Sequence, residues 1–158
     1  MEAAVQFGDP KKLRDQLEQF SLEDLYLLRA QLSWKARARK KQIPPETEDW
    51  DFFGIKSGRG FGKTLAAAEW IWQSAARDPG SYNFVIAPTH EDLIKVCFYG
   101  PTGLHAVIPK FLVKWATKSP LAICLWNDAL IQGFSADTPE RLRGPQCNRA
   151  WCDEVASW

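Results

Sequence analysis

The spacing of apolar residues changes along this chain, and each change predicts a different element. A polar stretch over residues 10–20 reads as helical. Ser21 then stands where a helix N-cap would, and Leu25, Leu28 and Leu32 fall on one face of the helix that follows. That helix runs into a basic stretch, Lys35-Ala36-Arg37-Ala38-Arg39-Lys40-Lys41, and Gln42-Ile43-Pro44-Pro45 ends it. Glu46 to Asp49 forms an acidic linker. Phe52, Phe53 and Ile55 make a short apolar run, which predicts a buried strand over about 50–56. Beyond it the period becomes helical, with Leu65, Ala68, Trp72 and Ala75 on one face.

Asp78-Pro79-Gly80-Ser81 is a turn, and Tyr82 to Ala87 a second strand closed by Pro88. Thr89 is placed to cap a helix from His90 to about Tyr99, with Leu93, Val96 and Cys97 facing inward. Residues 100–110 are irregular. Leu121 to Trp126 and Ala129 to Phe134, separated by Asn127-Asp128, read as a β-hairpin. A polar, Arg-containing loop follows over Asp137 to Gly144, and a short apolar piece, Ala150-Trp151-Cys152, leads into Asp153-Glu154.

Between the first predicted strand and its helix lies Ser57-Gly58-Arg59-Gly60-Phe61-Gly62-Lys63-Thr64. It meets the phosphate-loop pattern G-x-x-x-x-G-K-[ST] at Gly62, Lys63 and Thr64, with Ser57 in place of the first glycine. Glycines allow the tight turn that points backbone N–H groups inward at phosphate oxygens. Lys63 would set a point charge at the β- and γ-phosphates, and Thr64 a hydroxyl at Mg²⁺. The helix N-terminus adds partial positive charge at the same place. The competing reading is a glycine-rich turn that carries a lysine.

Composition changes this picture little. At 158 residues the chain amounts to one domain, and its formal net charge of +1 announces no polyanion binder, so nucleic-acid contact would need a local patch. The run at 35–41 is one such patch, although cations also suit a helix C-terminus in solvent. No long uncharged apolar stretch predicts a membrane span, and Met1 to Phe20 is too polar for a signal peptide. Cys97, Cys124, Cys147 and Cys152 form no C-x-x-C, which favours reduced thiols in a cytosolic protein over a metal centre.

A phosphate loop binds nucleotide, but hydrolysis also needs a carboxylate for Mg²⁺ and a base that orients water. Asp153 and Glu154 follow a strand-like segment and suit those two roles, Asp153 on the metal and Glu154 as the base. A surface acidic pair is the plainer alternative. Arginines would stabilise charge on the transferred phosphoryl group. Arg59 lies inside the loop, and Arg141 and Arg143 precede the acidic pair.

Several stretches together resemble the N-terminal ATPase domain of bacteriophage terminase large subunits. They are Gln42-Ile43-Pro44-Pro45 with Trp50 beyond an acidic spacer, and Gly58 to Thr64 leading into Ala67-Ala68-Glu69-Trp70. Ile86-Ala87-Pro88-Thr89 follows, and then Phe134-Ser135-Ala136. Last come Pro139-Glu140-Arg141-Leu142-Arg143-Gly144-Pro145-Gln146 and Trp151-Cys152-Asp153-Glu154. The resemblance spans roughly residues 30–158, and the run from Arg141 to Gln146 is its most specific part.

The resemblance implies an α/β, RecA-like P-loop NTPase with a mainly parallel sheet flanked by helices, over residues 46–158. An N-terminal helical segment and linker, residues 1–45, would precede it. It implies ATP and Mg²⁺ as cofactors. Ser57 to Thr64 would hold the phosphates, Thr64 and Asp153 the metal, and Glu154 the water. Gln42 would lie at the adenine. Arg59 would match the arginine of the family's loop, and Arg143 one that acts across a ring interface. Double-stranded DNA, a small terminase subunit and a portal protein would be partners of a homo-oligomeric ring in the bacterial host cytoplasm. Family members continue with a coupling motif and a nuclease domain. The end at Trp158 therefore reads as a truncated, split or interrupted product, whose isolated chain is expected to bind nucleotide weakly and hydrolyse it poorly. A helicase-like ATPase and a non-catalytic nucleotide-binding module are the alternatives.

Overall fold

A computed structural model of the chain describes residues 18–45 and 50–158. Most of the helix expected over 10–20 and all of the linker at 46–49 lie outside these residues. The chain divides into two compact units, one reaching to Ala36 and the other Arg37–Trp158.

The first unit holds nearly all of helix α1, Leu22–Arg37. Ser21 caps it as expected: its hydroxyl accepts from the Asp24 amide at 3.1 Å, while Asp24 accepts back from the Ser21 amide at 3.2 Å. Leu27 and Trp34 are its buried residues, seven positions apart. Leu28 and Leu32, on the face that the leucine spacing defines, are exposed. The apolar stripe is thus rotated one position from the leucine spacing.

The second unit is built on a five-stranded sheet of order β2-β3-β4-β1-β5. Its strands are β1 Tyr82–Ala87, β2 Val113–Lys118, β3 Leu121–Leu125, β4 Leu130–Ser135 and β5 Arg149–Cys152. β1 runs parallel to both β4 and β5, whereas β2–β3 and β3–β4 are antiparallel. The expected mainly parallel sheet is therefore a mixed one. The reason is connection length. β2, β3 and β4 are joined by short turns, which permit only antiparallel neighbours, while the parallel pairs have long crossovers.

The strand expected over 50–56 does not form, and residues 52–58 take no regular structure. A strand needs a ladder partner as well as apolar residues. Here the aromatic side chains are engaged elsewhere: Trp50 contacts Phe53 and Trp70, with ring centroids 6.0 and 6.1 Å apart. Phe52 is left 94% exposed.

Helix α2, Lys63–Arg77, buries Ala68, Ile71, Trp72 and Ala75 and packs on β1, β4 and β5. Its C-terminal carbonyls are capped from the hairpin, as Asn127 Nδ2 donates to Ala75 and Ala76 at 3.1 and 3.0 Å. Thr89 caps the next helix, α3, which is α-helical over His90–Asp92 and π-helical over Leu93–Phe98. The wide turn puts Leu93, Cys97 and Phe98 inside and leaves Val96, expected inside, exposed. A short helix α4, Leu104–Val107, packs against α2. Side chains alternate across β1, so Phe84 and Ile86 face away from Val85. With Phe134 they form a second cluster, against which Tyr82, Ala136 and Leu142 pack.

Candidate active site

Residues 57–62 turn sharply into α2, with φ of +75° at Gly60 and +86° at Gly62. Gly62 is the N-cap residue of α2 and offers no side-chain cap, so the first amides of the helix keep their donors for a ligand. The Lys63 ammonium folds back on the loop and donates to the carbonyls of Ser57 and Gly58 at 3.2 and 3.4 Å. The Ser57 hydroxyl is buried and has no hydrogen-bond partner among the described residues. Thr64 is half-buried in the first turn of α2.

Gln42 is the clamp behind this loop. It is buried, and its Nε2 donates to the carbonyls of Phe61 and Gly62 at 2.8 and 3.2 Å. Its Oε1 accepts from the Arg39 amide at 2.8 Å. Arg39 also donates to the Phe61 carbonyl and lies 5.2 Å from the centre of the Phe61 ring. One residue type pattern, the basic run, thus hides two functions. Arg39 holds the loop, and Arg37 pairs with Glu69 of α2, a buried carboxylate that also accepts from Trp72 Nε1 and Gln73 Nε2 at 2.9 Å each.

Asp153 follows β5 directly. Its amide donates to the Ile86 carbonyl at 2.8 Å, which prolongs the β1–β5 ladder and fixes the acidic pair at the carboxyl edge of the sheet. Trp158 Nε1 holds the Asp153 carbonyl at 3.1 Å. Glu154 takes a left-handed backbone, φ +46° and ψ +45°, and its side chain is exposed. Such a conformation costs a non-glycine residue about 1–3 kcal/mol and clusters at functional sites.

Burial, and then the neighbouring Glu154 charge, raise the Asp153 pKa, while a hydrogen bond with Trp151 and then the Lys63 charge act to lower it. Lys63 and Asp153 are therefore within electrostatic reach across 90 positions of sequence. Asp92 adds a further negative charge. Among the described residues no group of three or more His, Cys, Asp or Glu is gathered so that it could hold a metal ion. Beneath Asp153 lies Cys97, whose Sγ is 3.9 Å from Asp153 Oδ2. Burial, then Asp153, push its thiol well above the ordinary range, so it stays protonated and donates.

The fold thus brings together Ser57 to Thr64, Gln42 and Asp153, with Glu154 beside it. The side chains of Arg59 and Arg143 are exposed and make no hydrogen bond or ion pair among the described residues. Sequence reading missed Cys97 and Asp92. Asp92 carries a local signal, because it sits three residues after the capping Thr89 and donates its amide to that hydroxyl at 3.1 Å. Cys97 carries none.

Among the described residues no helix is long and apolar enough to cross a membrane. A family model described as terminase large subunit, T4-like virus type, N-terminal, matches residues 55–158. Comparison with curated proteins and with solved structures returns no match.

Proposed function

The chain belongs to the T4-like terminase large subunit family, and from that premise we propose that it is the ATP-hydrolysing part of a phage DNA-packaging motor with a RecA-like P-loop core. The observation that carries the reading is the convergence of Lys63, at the start of α2, and Asp153, at the end of β5, on one carboxyl edge of the sheet. Membership of the family explains the order of the motifs. The convergence explains their chemistry.

The residues present fit ATP with Mg²⁺. The group when bound supplies a transferable phosphoryl with its charge partly neutralised by the metal. The amides of the loop and of the first turn of α2 bind phosphate oxygens, and Gly60 and Gly62 permit their approach. Lys63 exchanges its two backbone carbonyl partners for phosphate, a charge-assisted contact that is stronger than the ones it leaves. Thr64 and Asp153 hold the metal. The raised Asp153 pKa makes that binding proton-linked, with affinity falling as pH drops through it. Cys97 fixes the Asp153 carboxylate by donating its thiol hydrogen. Glu154 orients water and accepts its proton. Arg59 and Arg143 supply cations to the transition state, Arg59 within one subunit and Arg143 toward a neighbour in a ring. Gln42 as an adenine contact would require its carboxamide to leave the Phe61 and Gly62 carbonyls and the Arg39 amide that it now holds. Double-stranded DNA, the small terminase subunit and the portal are the partners, in the host cytoplasm.

The test is Glu154→Gln. General-base removal lowers turnover by a factor of about 10²–10⁴ while Mg²⁺-ATP affinity holds. Slow basal turnover by the wild-type chain is enough to read this. Equal turnover in the two proteins would assign the chain to nucleotide binding without catalysis.

A further inference from the structure

A cavity of about 380 Å³ opens at the carboxyl edge of β4, two strands along the sheet from β5 and apart from the phosphate loop. The β2–β3 turn forms one wall and the loop after β4 the other. Lys118 comes from the first, Arg141 from the second, and His90 from the start of α3. Ser135 and Thr138 also line it, their hydroxyls bonded to each other at 3.1 Å and that of Thr138 donating to the Ser135 carbonyl at 3.4 Å, and Asp137 contributes the single carboxylate of the lining. None of the active-site residues lines it.

Three observations define its ligand. Two fixed cations face one carboxylate, so the lining carries a surplus of positive charge before His90 is considered. Neither Lys118 nor Arg141 belongs to any ion pair among the described residues. Lys118 instead lies 5.5 Å from the centre of the half-exposed Tyr99 ring, which stacks on His105 at 4.3 Å. Cations that belong to no ion pair and face a single carboxylate call for an oxyanion. Both cations are exposed to water, so a lone small anion would gain little here. A polyanion is different, because each contact releases condensed counterions and several weak contacts add.

We infer that this cavity seats a phosphate of a nucleic-acid backbone, with Lys118 and Arg141 as its cationic contacts. The contact reads no base, as suits a protein that must move along any sequence. That the backbone is double-stranded DNA rests on the packaging reading; the recognition of phosphodiester does not. Arg141 thereby gains a role separate from that of Arg143, two residues on.

The experiment is binding of a random-sequence DNA duplex to the full chain by fluorescence anisotropy across a salt series. Wild type gives a linear log–log salt dependence. Lys118→Ala and Arg141→Ala each flatten its slope by about 0.9, the value for one lost duplex phosphate contact, and the double variant by about twice that. Lys95→Ala, which removes an exposed cation paired with Glu91 outside the cavity, leaves the slope unchanged. Asp137→Asn tightens binding at low salt. Mg²⁺-ATP affinity is measured in the same variants and stays at the wild-type value, so failure of the nucleotide site and failure of the cavity are read separately. Absent DNA binding, or slopes unchanged in the Lys118 and Arg141 variants, would overturn the inference. So would millimolar inorganic phosphate perturbing the Gly133 and Ser135 amides when DNA does not, since the cavity would then serve a free anion.

Discussion

Gly62→Ala isolates the clamp between Gln42 and the phosphate loop. Gly62 has φ +86° and ψ +34°, a left-handed conformation that costs an L-residue about 1–2 kcal/mol. A Cβ built there would also stand 2.8 Å from Gln42 Nε2, closer than side-chain contacts allow. Gln42 must therefore give up its bonds to the Phe61 and Gly62 carbonyls. The shorter bond is worth about 0.5–1.5 kcal/mol net and the longer one less, so the single variant should lose roughly 2–4 kcal/mol. Gln42→Ala removes the same bonds directly. In that background Gly62→Ala meets no collision and should cost the backbone term alone. The double-mutant cycle thus predicts a coupling of about 1–2 kcal/mol, with the pair less destabilised than the sum. Equilibrium urea unfolding of the four proteins gives this number, provided their m-values agree. Additivity within about 0.5 kcal/mol would mean that Gln42 does not hold the loop, and the account of the clamp would fail.

Arg37→Met leaves the buried Glu69 with Trp72 and Gln73 alone; because Arg37 is itself 57% exposed and water can replace it, the loss in urea should be about 1–3 kcal/mol, below the full figure for a broken buried pair. Burial lowers the His105 pKa below its ordinary 6.5, so the folded protein holds its proton less tightly than the unfolded chain. Stability carried by His105 is then complete above that value and is lost as pH falls through the folded pKa; His105→Phe, which keeps the stack on Tyr99, should flatten that part of a pH series of urea midpoints. Cys97→Ala should weaken Mg²⁺-dependent nucleotide binding with little change in metal-free binding, and Cys97→Ser should restore much of it by donating from a hydroxyl.

Local pattern and distant pairing contributed differently to what could be read from the chain. α2 has a period-3.6 apolar spacing, β1 and the β3–β4 hairpin are short apolar runs between clear turn residues, and all lie close to where those patterns predict. Thr89 and Ser21 cap helices because a capping hydroxyl acts within its own turn. The strand expected over 50–56 failed because apolar content says nothing of a ladder partner, and the Trp50 ring packs on Trp70 instead. β2 was missed for the converse reason. It is a largely exposed edge strand with a register shift between Val113 and Trp115, without a buried apolar face, and it owes its form to pairing with β3. Val96 turned outward because the π-helical turn changes the period within α3.

The candidate site follows the same division. Lys63, Thr64 and the acidic pair could be nominated from sequence because the proposed chemistry demands fixed residue types at short spacing. Their meeting was not, since Lys63 and Asp153 are brought together only by the β1–β5 pairing and the packing of α2 on β5. Gln42 was expected at a ligand and is found bonded to the loop backbone, a contact that no spacing rule encodes. Lys118, the last residue of β2, and Arg141, in the segment after β4, are 23 positions apart and share a cavity only because β3 and β4 are neighbours.

The most direct test of the account is a calorimetric titration of the folded chain with Mg²⁺-ATP, beside Lys63→Ala. Loss of a charge-assisted contact of about 1.5–3 kcal/mol corresponds to a factor of roughly 10–150 in affinity. The account predicts saturable binding by wild type, weakened by at least that lower factor in Lys63→Ala. Equal affinity in the two proteins, or no binding by a wild-type chain shown to be folded, would contradict the claim that Lys63 and Asp153 converge on a nucleotide.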